Sequence, residues 1–200
     1  MEWYLAVLLF AASTSITPGP NNIMLMSSGL NFGIKRSIPH LLGILVGFAM
    51  LIVAAAVGFS ALFAVFPQLH NMIQIAGIIY LLYFAWLVAT SEASDFSTSN
   101  KKAMSFMQAL AFQWVNPKAW IMATGAIAAY TTIGSGFALQ VVYILSAFFL
   151  VAIPCLGTWL VFGSFLSRYL KRPSYRKYFN FTMAGLLVIS ILPIIRDLVI

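Results

Sequence analysis

A break in the first long apolar run constrains this chain more than any other feature. The run covers residues 3–26, and about 20 apolar residues are enough for a helix to cross a membrane. Within it lie Pro18, Gly19 and Pro20, and the prolines have no N–H to donate to the carbonyls four residues earlier. In hydrocarbon, freed backbone groups are tolerated only against protein or around a water-filled cavity. We therefore expect a helix that stops and restarts within the membrane, as in transporters whose broken helices bind substrate.

The residues after the break favour a helix restart. Asn21 and Asn22 follow the second proline directly, and asparagine is a strong N-cap. The alternative interpretation is a packing kink, which is common in membrane helices. If the break is functional, the predicted substrate-binding residues at this point are Thr17, Pro18, Gly19, Pro20, Asn21 and Asn22.

Composition predicts an integral membrane protein. Hydrophobic residues make up 62% of the chain and charged residues 8%, whereas about a quarter of a soluble protein is charged. Glu2 is acidic and no Lys or Arg precedes Lys35, so we interpret the first run as a retained span and not as a signal peptide. The single cysteine, Cys155, predicts neither a disulfide nor a Cys-based metal site. No ATP-binding or zinc-protease motif occurs, and we expect neither an enzyme nor a cofactor.

The apolar runs predict an all-α fold with six transmembrane helices. The runs cover residues 3–26, 39–65, 71–91, 106–131, 138–167 and 179–196. Nine of the eleven basic residues lie in the connectors after runs one, three and five: Lys35, Arg36, Lys101, Lys102, Arg168, Lys171, Arg172, Arg176 and Lys177. Such an asymmetry places these connectors in the cytoplasm and both termini outside. Contact of these basic residues with the lipid bilayer also accounts for the net charge of +7. Binding to nucleic acid is not needed to explain this charge.

The chain also divides into two similar halves within one transmembrane domain of residues 1–200. The halves cover about residues 1–95 and 103–200, and each contains three of the apolar runs. The first run of the second half is interrupted at Asn116-Pro117. An odd number of spans per half inverts the second half, so we predict a 3+3 inverted repeat with broken helices 1 and 4.

The second break carries a basic residue. Asn116 is a candidate N-cap, Pro117 suits the first turn of a helix, and Lys118 follows. A helix N-terminus attracts anions, and a lysine inside a span is by default a functional candidate. The alternative is that Lys118 snorkels to the inner membrane surface. We add Asn116, Pro117 and Lys118 to the predicted substrate-binding residues, where they would bind a carboxylate.

The second apolar run carries two further signals. Gly43 and Gly47 form a GxxxG pair, which lets helices approach closely in lipid. Whether they pack within one chain or between copies of a homo-oligomer stays open. His40 lies close to the basic connector, and we expect an interfacial histidine there, with a proton-titrating role as the alternative.

Three motifs together resemble those of the LysE/RhtB amino-acid exporter family. They are Thr17-Pro18-Gly19-Pro20-Asn21-Asn22, Gly33-Ile34-Lys35-Arg36 and Val115-Asn116-Pro117-Lys118-Ala119. The resemblance extends to the chain length, the number of spans and the placement of the motifs. It implies a secondary exporter of amino acids or their derivatives in a bacterial inner membrane, driven by proton entry.

The charges within the spans narrow the expected substrate. A basic side chain crossing the membrane would favour a buried carboxylate partner, and no acidic residue lies mid-span. We therefore expect neutral substrates such as homoserine, threonine, cysteine, O-acetylserine or leucine-like amino acids. Because no acidic residue lies mid-span, the residue that would carry the proton is not assigned. The alternatives are a membrane scaffold or partner-binding subunit, and an exporter of another small solute such as a metal ion.

Overall fold

The computed structural model describes residues 2–59, 65–90, 103–132, 134–170 and 173–199, and these residues form helices and no strands. The helices are α1 Glu2–Ile16, α2 Pro20–Ala54, α3 Pro67–Ala89, α4 Phe106–Val115, α5 Pro117–Tyr130, α6 Phe137–Tyr169 and α7 Pro173–Val199. A short π-helical segment, Ala55–Phe59, extends α2. The predicted all-α class is confirmed for the described part of the chain.

Helix α2 doubles back at Gly33. The Oγ atoms of Ser28 and Ser37 are 2.7 Å apart, although nine residues of continuous helix would separate them by about 13.5 Å. Gly33 has a φ of 77°, a conformation that glycine adopts without steric cost. We call residues 20–32 the first arm and residues 34–54 the second arm. The connector predicted between the first and second apolar runs is therefore mostly helical, because one glycine is enough to reverse the chain direction.

Several other helix boundaries differ from the sequence prediction. Helix α3 begins at Pro67 and α7 at Pro173, several residues before the predicted starts at 71 and 179. Proline is favoured in the first turn because its missing N–H has no partner there anyway, so each helix extends back to a proline. Helix α6 runs uninterrupted through Pro154.

Two helical segments are each long and apolar enough to cross a membrane. They are Pro20–Gly58 and Phe137–Ser167, and three shorter apolar helices are Glu2–Ile16, Ile75–Trp86 and Lys177–Ile189. The first long segment contains the reversal at Gly33, and breaks separate α1 from α2 and α4 from α5. The six-span topology and the inverted repeat stay predictions. The predicted orientation rests partly on residues outside the described ranges: Lys101, Lys102, Lys171 and Arg172.

The outer surface carries many large apolar side chains. Leu9 and Leu150 are each 63% exposed and Ile189 is 59% exposed. Monomeric soluble proteins rarely expose contiguous apolar surface beyond a few hundred Å². An apolar exterior of this kind suits a lipid environment.

The glycine pair of the second arm packs against α4. A methyl group on Gly43 would collide with the carbonyl oxygen of Phe106, and one on Gly47 would lie 2.8 Å from the carbonyl oxygen of Leu110. Helix α6 approaches the first arm just as closely, with Gly163 against the backbone of Met26. The GxxxG pair therefore packs within one chain and brings the second arm against the first half of the broken α4–α5 pair.

Gly43→Ala is expected to destabilise this contact. The added methyl would force the helices apart, and overpacking of this kind costs about 1–3 kcal/mol. Thermal unfolding of the purified protein in detergent measures the effect. Gly185→Ala is the matched control, because a methyl group at that helical position would have no atom of another described element within 4 Å. Equal melting temperatures for the two variants would contradict the packing.

Candidate functional site

The two helix breaks meet in space. Lys118 Nζ, in the first turn of α5, donates to Thr17 Oγ1 at 2.8 Å and to the Thr17 carbonyl oxygen at 3.1 Å. A longer contact of 3.5 Å reaches the Pro18 carbonyl oxygen. A methyl group on Gly19 would lie 2.8 Å from the same ammonium nitrogen. The break between α1 and α2 is thus bridged to the break between α4 and α5 by a single cation.

Side chains donate hydrogen bonds to three carbonyls at the first break. Thr17 Oγ1 donates to the Thr14 carbonyl at 2.8 Å. In a continuous helix the N–H of residue 18 would donate to this carbonyl, but Pro18 has no N–H. Asn22 Nδ2 donates to the carbonyls of Ser15 and Thr17 at 2.8 and 2.9 Å. Buried backbone groups need such partners, so these hydrogen bonds stabilise a break between apolar helices.

The two restarted helices begin without side-chain caps. Helix α2 has Gly19 at its N-cap with Pro20 in its first turn, and α5 has Asn116 at its N-cap, followed by Pro117. The expected capping of α2 by Asn21 or Asn22 is wrong, because both side chains bind elsewhere. The first N–H groups of a helix have no partner within the helix. Two N-termini with their partial positive charge therefore lie where the breaks meet.

A pair of amides links the first arm to α4. Asn21 Nδ2 donates to Gln113 Oε1 at 2.8 Å, and Gln113 Nε2 donates to Asn21 Oδ1 at 3.0 Å. Gln113 is fully buried and also donates to the Ala109 carbonyl at 3.0 Å. The sequence analysis did not single out Gln113. The available signal was a polar side chain inside an apolar run, one turn before the second break.

Gln113→Asn is expected to weaken export because it shortens the amide pair by one methylene. The exchanged double variant Asn21→Gln/Gln113→Asn keeps the combined length and both amides, so it should recover part of the lost activity. An unpaired buried amide costs about 1–3 kcal/mol, which sets the scale of the single-variant defect. Export rates at equal protein abundance provide the measurement. A double variant no better than the worse single variant would contradict a direct amide pair.

A cavity of about 60 Å³ lies beside the breaks. One water needs roughly 10–15 Å³ on this scale, so the cavity has room for several waters or for part of a small solute. Among the described residues, its lining carries no Asp or Glu and combines polar break residues with an apolar wall from the second arm, α5 and α6. The lining residues are Thr14, Ser15, Gly19, Pro20, Asn21, Asn22, Ile44, Leu45, Phe48, Asn116, Lys118, Ala119, Met122, Ala152 and Leu156.

Not all the predicted site residues line this cavity. Thr17 and Pro18 contact the ammonium group of Lys118 from the break itself, and Pro117 is buried in the first turn of α5. Asn116 lines the cavity and is 2% exposed, but its Oδ1 has no hydrogen-bond partner in the described part of the chain. Leaving such an acceptor unpaired costs about 1–3 kcal/mol.

His40 lies in the protein interior. It is 1% exposed, whereas a histidine at the membrane interface would be accessible to water. Helical spacing places it on the packed face of the second arm, with Ser37 and Gly43, which are also buried. Across the described residues, no three His, Cys, Asp or Glu side chains group together as a metal site would require.

Sequence comparisons support a transport protein. The family model described as LysE, LysE type translocator, matches residues 12–191. A cysteine/O-acetylserine efflux protein of Klebsiella pneumoniae is 32% identical over 187 residues, which is 92% of each chain. Proteins of the same description from Salmonella choleraesuis and Escherichia coli O1:K1 are 35% and 32% identical. These two alignments span 52% and 58% of this chain and 53% and 60% of the relatives. No solved structure matches.

Proposed function

Because the chain belongs to the LysE type translocator family, whose members are transporters and not enzymes, we propose that it exports neutral amino acids or their derivatives across a bacterial inner membrane. Cysteine and O-acetylserine are the first candidates, since relatives at 32–35% identity are named for their efflux. Homoserine, threonine and leucine-like amino acids remain within the proposal.

The observation that carries this proposal is the convergence of positive charge at the cavity. Lys118 and the uncapped N-termini of α2 and α5 lie together there. Unpaired N–H groups at a helix start bind anions, and an ammonium group forms charge-assisted hydrogen bonds with a carboxylate. An amino-acid carboxylate has the charge and size to occupy this place.

The remaining lining favours a small neutral side chain. No acidic residue of the described part of the chain lines the cavity, so the positive head of a lysine or arginine substrate would have no carboxylate partner among these residues. Ile44, Phe48 and Leu156 form part of an apolar wall, against which a short side chain would pack. The small volume of the cavity, about 60 Å³, also favours a substrate with a small side chain.

We further propose that proton entry drives export, as the family resemblance implies. Coupling of this kind makes export depend on the proton gradient and on no nucleotide. The proton carrier is unassigned.

Accumulation in inside-out membrane vesicles tests the function. Vesicles that contain the protein should accumulate labelled cysteine or O-acetylserine above vesicles without it, while labelled lysine should not accumulate. An uncoupler should abolish accumulation. Failure to accumulate any amino acid of the panel, with normal amounts of inserted protein, would contradict the proposal and favour a scaffold role. Accumulation of a metal ion alone would favour a metal exporter.

A further inference from the structure

A second, smaller cavity shares part of its lining with the cavity beside the breaks. Its volume is about 10 Å³. We call it the second cavity, and the cavity of about 60 Å³ beside the breaks the first cavity. The described residues that line the second cavity are all apolar: Leu45, Phe48, Ala49, Ile52, Leu145, Phe148, Phe149 and Ala152. Three of these residues, Leu45, Phe48 and Ala152, also line the first cavity, and all three are buried.

The two cavities follow one another along the contact between the second arm and α6. On the second arm, Ile44 lines the first cavity and Ile52 lines the second. On α6 the order is reversed, because Leu156 lines the first cavity and Leu145 lines the second. The three shared residues lie between these ends on both helices. They therefore form the boundary between the two cavities.

Phe48 is the largest residue of this boundary. Its ring centroid lies 5.0 Å from that of Phe148, with an angle of 64° between the two planes, an edge-to-face geometry that stabilises aromatic pairs. Phe148 lines the second cavity and not the first. From α6 the boundary receives only the methyl group of Ala152. Most of the bulk between the cavities therefore comes from the second arm, through Phe48 and its neighbour Leu45.

We propose that Phe48, together with Leu45, sets the upper size limit on the side chain of the substrate by separating the first cavity from the second. This inference rests on the proposed function, in which Lys118 and the helix N-termini bind the carboxylate and the side chain packs against the apolar wall. A large apolar side chain would overlap the boundary residues, and overpacking of this kind is unfavourable. The site therefore accepts a side chain as small as that of cysteine and rejects one as large as that of phenylalanine.

Phe48→Ala would join the two cavities. The substitution removes an aromatic ring from between two apolar spaces, and an apolar cavity left by a deleted side chain can bind an aromatic ligand. A phenylalanine substrate carries the same ring that the substitution removes. Its ring would occupy the space and restore the edge-to-face contact with Phe148. The variant should therefore gain affinity for phenylalanine.

Equilibrium binding of L-cysteine and L-phenylalanine to the purified protein in lipid nanodiscs provides the test. The wild-type protein should prefer cysteine by about tenfold or more, since a single methylene in a hydrophobic pocket already gives about 10- to 200-fold discrimination. In Phe48→Ala this preference should fall by about tenfold or more. Phe149→Ala is the matched control, because it removes the same ring from a residue that lines the second cavity only. It should keep the wild-type preference.

Leu45→Ala is an independent variant that leaves the Phe48 ring in place. It shortens the other large side chain of the boundary, so the affinity for L-leucine should rise relative to that for cysteine. This variant decides the question if Phe48→Ala does not insert into the membrane.

Three results would overturn the inference. The first is an unchanged preference in correctly inserted Phe48→Ala or, where that variant does not insert, in Leu45→Ala. The second is a wild-type protein that binds phenylalanine as tightly as cysteine. The third is an equal fall in preference in Phe149→Ala. In each case, cysteine accumulation in vesicles would leave the proposed function standing. If neither binding nor accumulation of any of these amino acids occurs, the proposed function fails and the inference fails with it.

Discussion

Lys118→Ala is expected to reduce amino-acid export by about ten- to a hundredfold, the range that loss of a charge-assisted hydrogen bond implies. The substitution removes the cation that the described residues bring to the cavity lining and the bridge from α5 to Thr17. Vesicle accumulation at matched protein abundance measures the effect. A carboxylate that enters the cavity competes with the Thr17 oxygens for the same ammonium group, so this residue contributes both to binding and to the shape of the site.

Lys118→Arg is the control for charge. It keeps the cation but changes its geometry, because a guanidinium is a planar fork and not a compact ammonium. We expect it to retain part of the activity. Wild-type export by Lys118→Ala for every tested amino acid would mean that the lysine does not bind substrate. The carboxylate site would then rest on the helix N-termini alone.

Pro18→Ala combined with Pro20→Ala is expected to abolish export while the protein still inserts into the membrane. Both substitutions restore N–H donors, so α1 and the first arm of α2 can join into one helix. The joined helix would pair the N–H groups that now begin α2 and would move the Thr17 oxygens away from Lys118.

Pro154→Ala is the matched control for the loss of a proline. This proline lies inside the uninterrupted helix α6 and lines no part of the cavity, so its replacement should leave export close to wild type. Wild-type export by a normally inserted Pro18→Ala/Pro20→Ala variant would assign the break to helix packing.

Local chemistry made the breaks predictable from the sequence. Pro18, Gly19 and Pro20 in succession strongly disfavour a continuous helix, and Pro117 favours an extended backbone at Asn116, whereas the single prolines Pro39 and Pro154 lie inside helices. The structure places both breaks where these residues required them. Lys118 was identifiable because a lysine inside an apolar run is costly.

The partners of these residues were not predictable, because they depend on packing between distant parts of the chain. Gln113 pairs with Asn21 across 92 positions, and nothing near either residue specifies the other. Asn22 was expected to cap a helix, but the freed carbonyls of α1 lie within its reach and bind its amide instead. The apolar wall of the cavity comes from the second arm, α5 and α6, which only the three-dimensional fold brings together.

Substrate protection of a thiol in the cavity tests the central claim most directly, namely that substrate binds where the two breaks meet. In a Cys155→Ser background, Ser15→Cys places the thiol in the cavity lining. Ser13→Cys, on an exposed part of α1 that does not line the cavity, is the control. We predict that excess O-acetylserine slows N-ethylmaleimide labelling at position 15 and leaves position 13 unchanged. Unchanged labelling at position 15, in vesicles that still accumulate O-acetylserine, would contradict the claim.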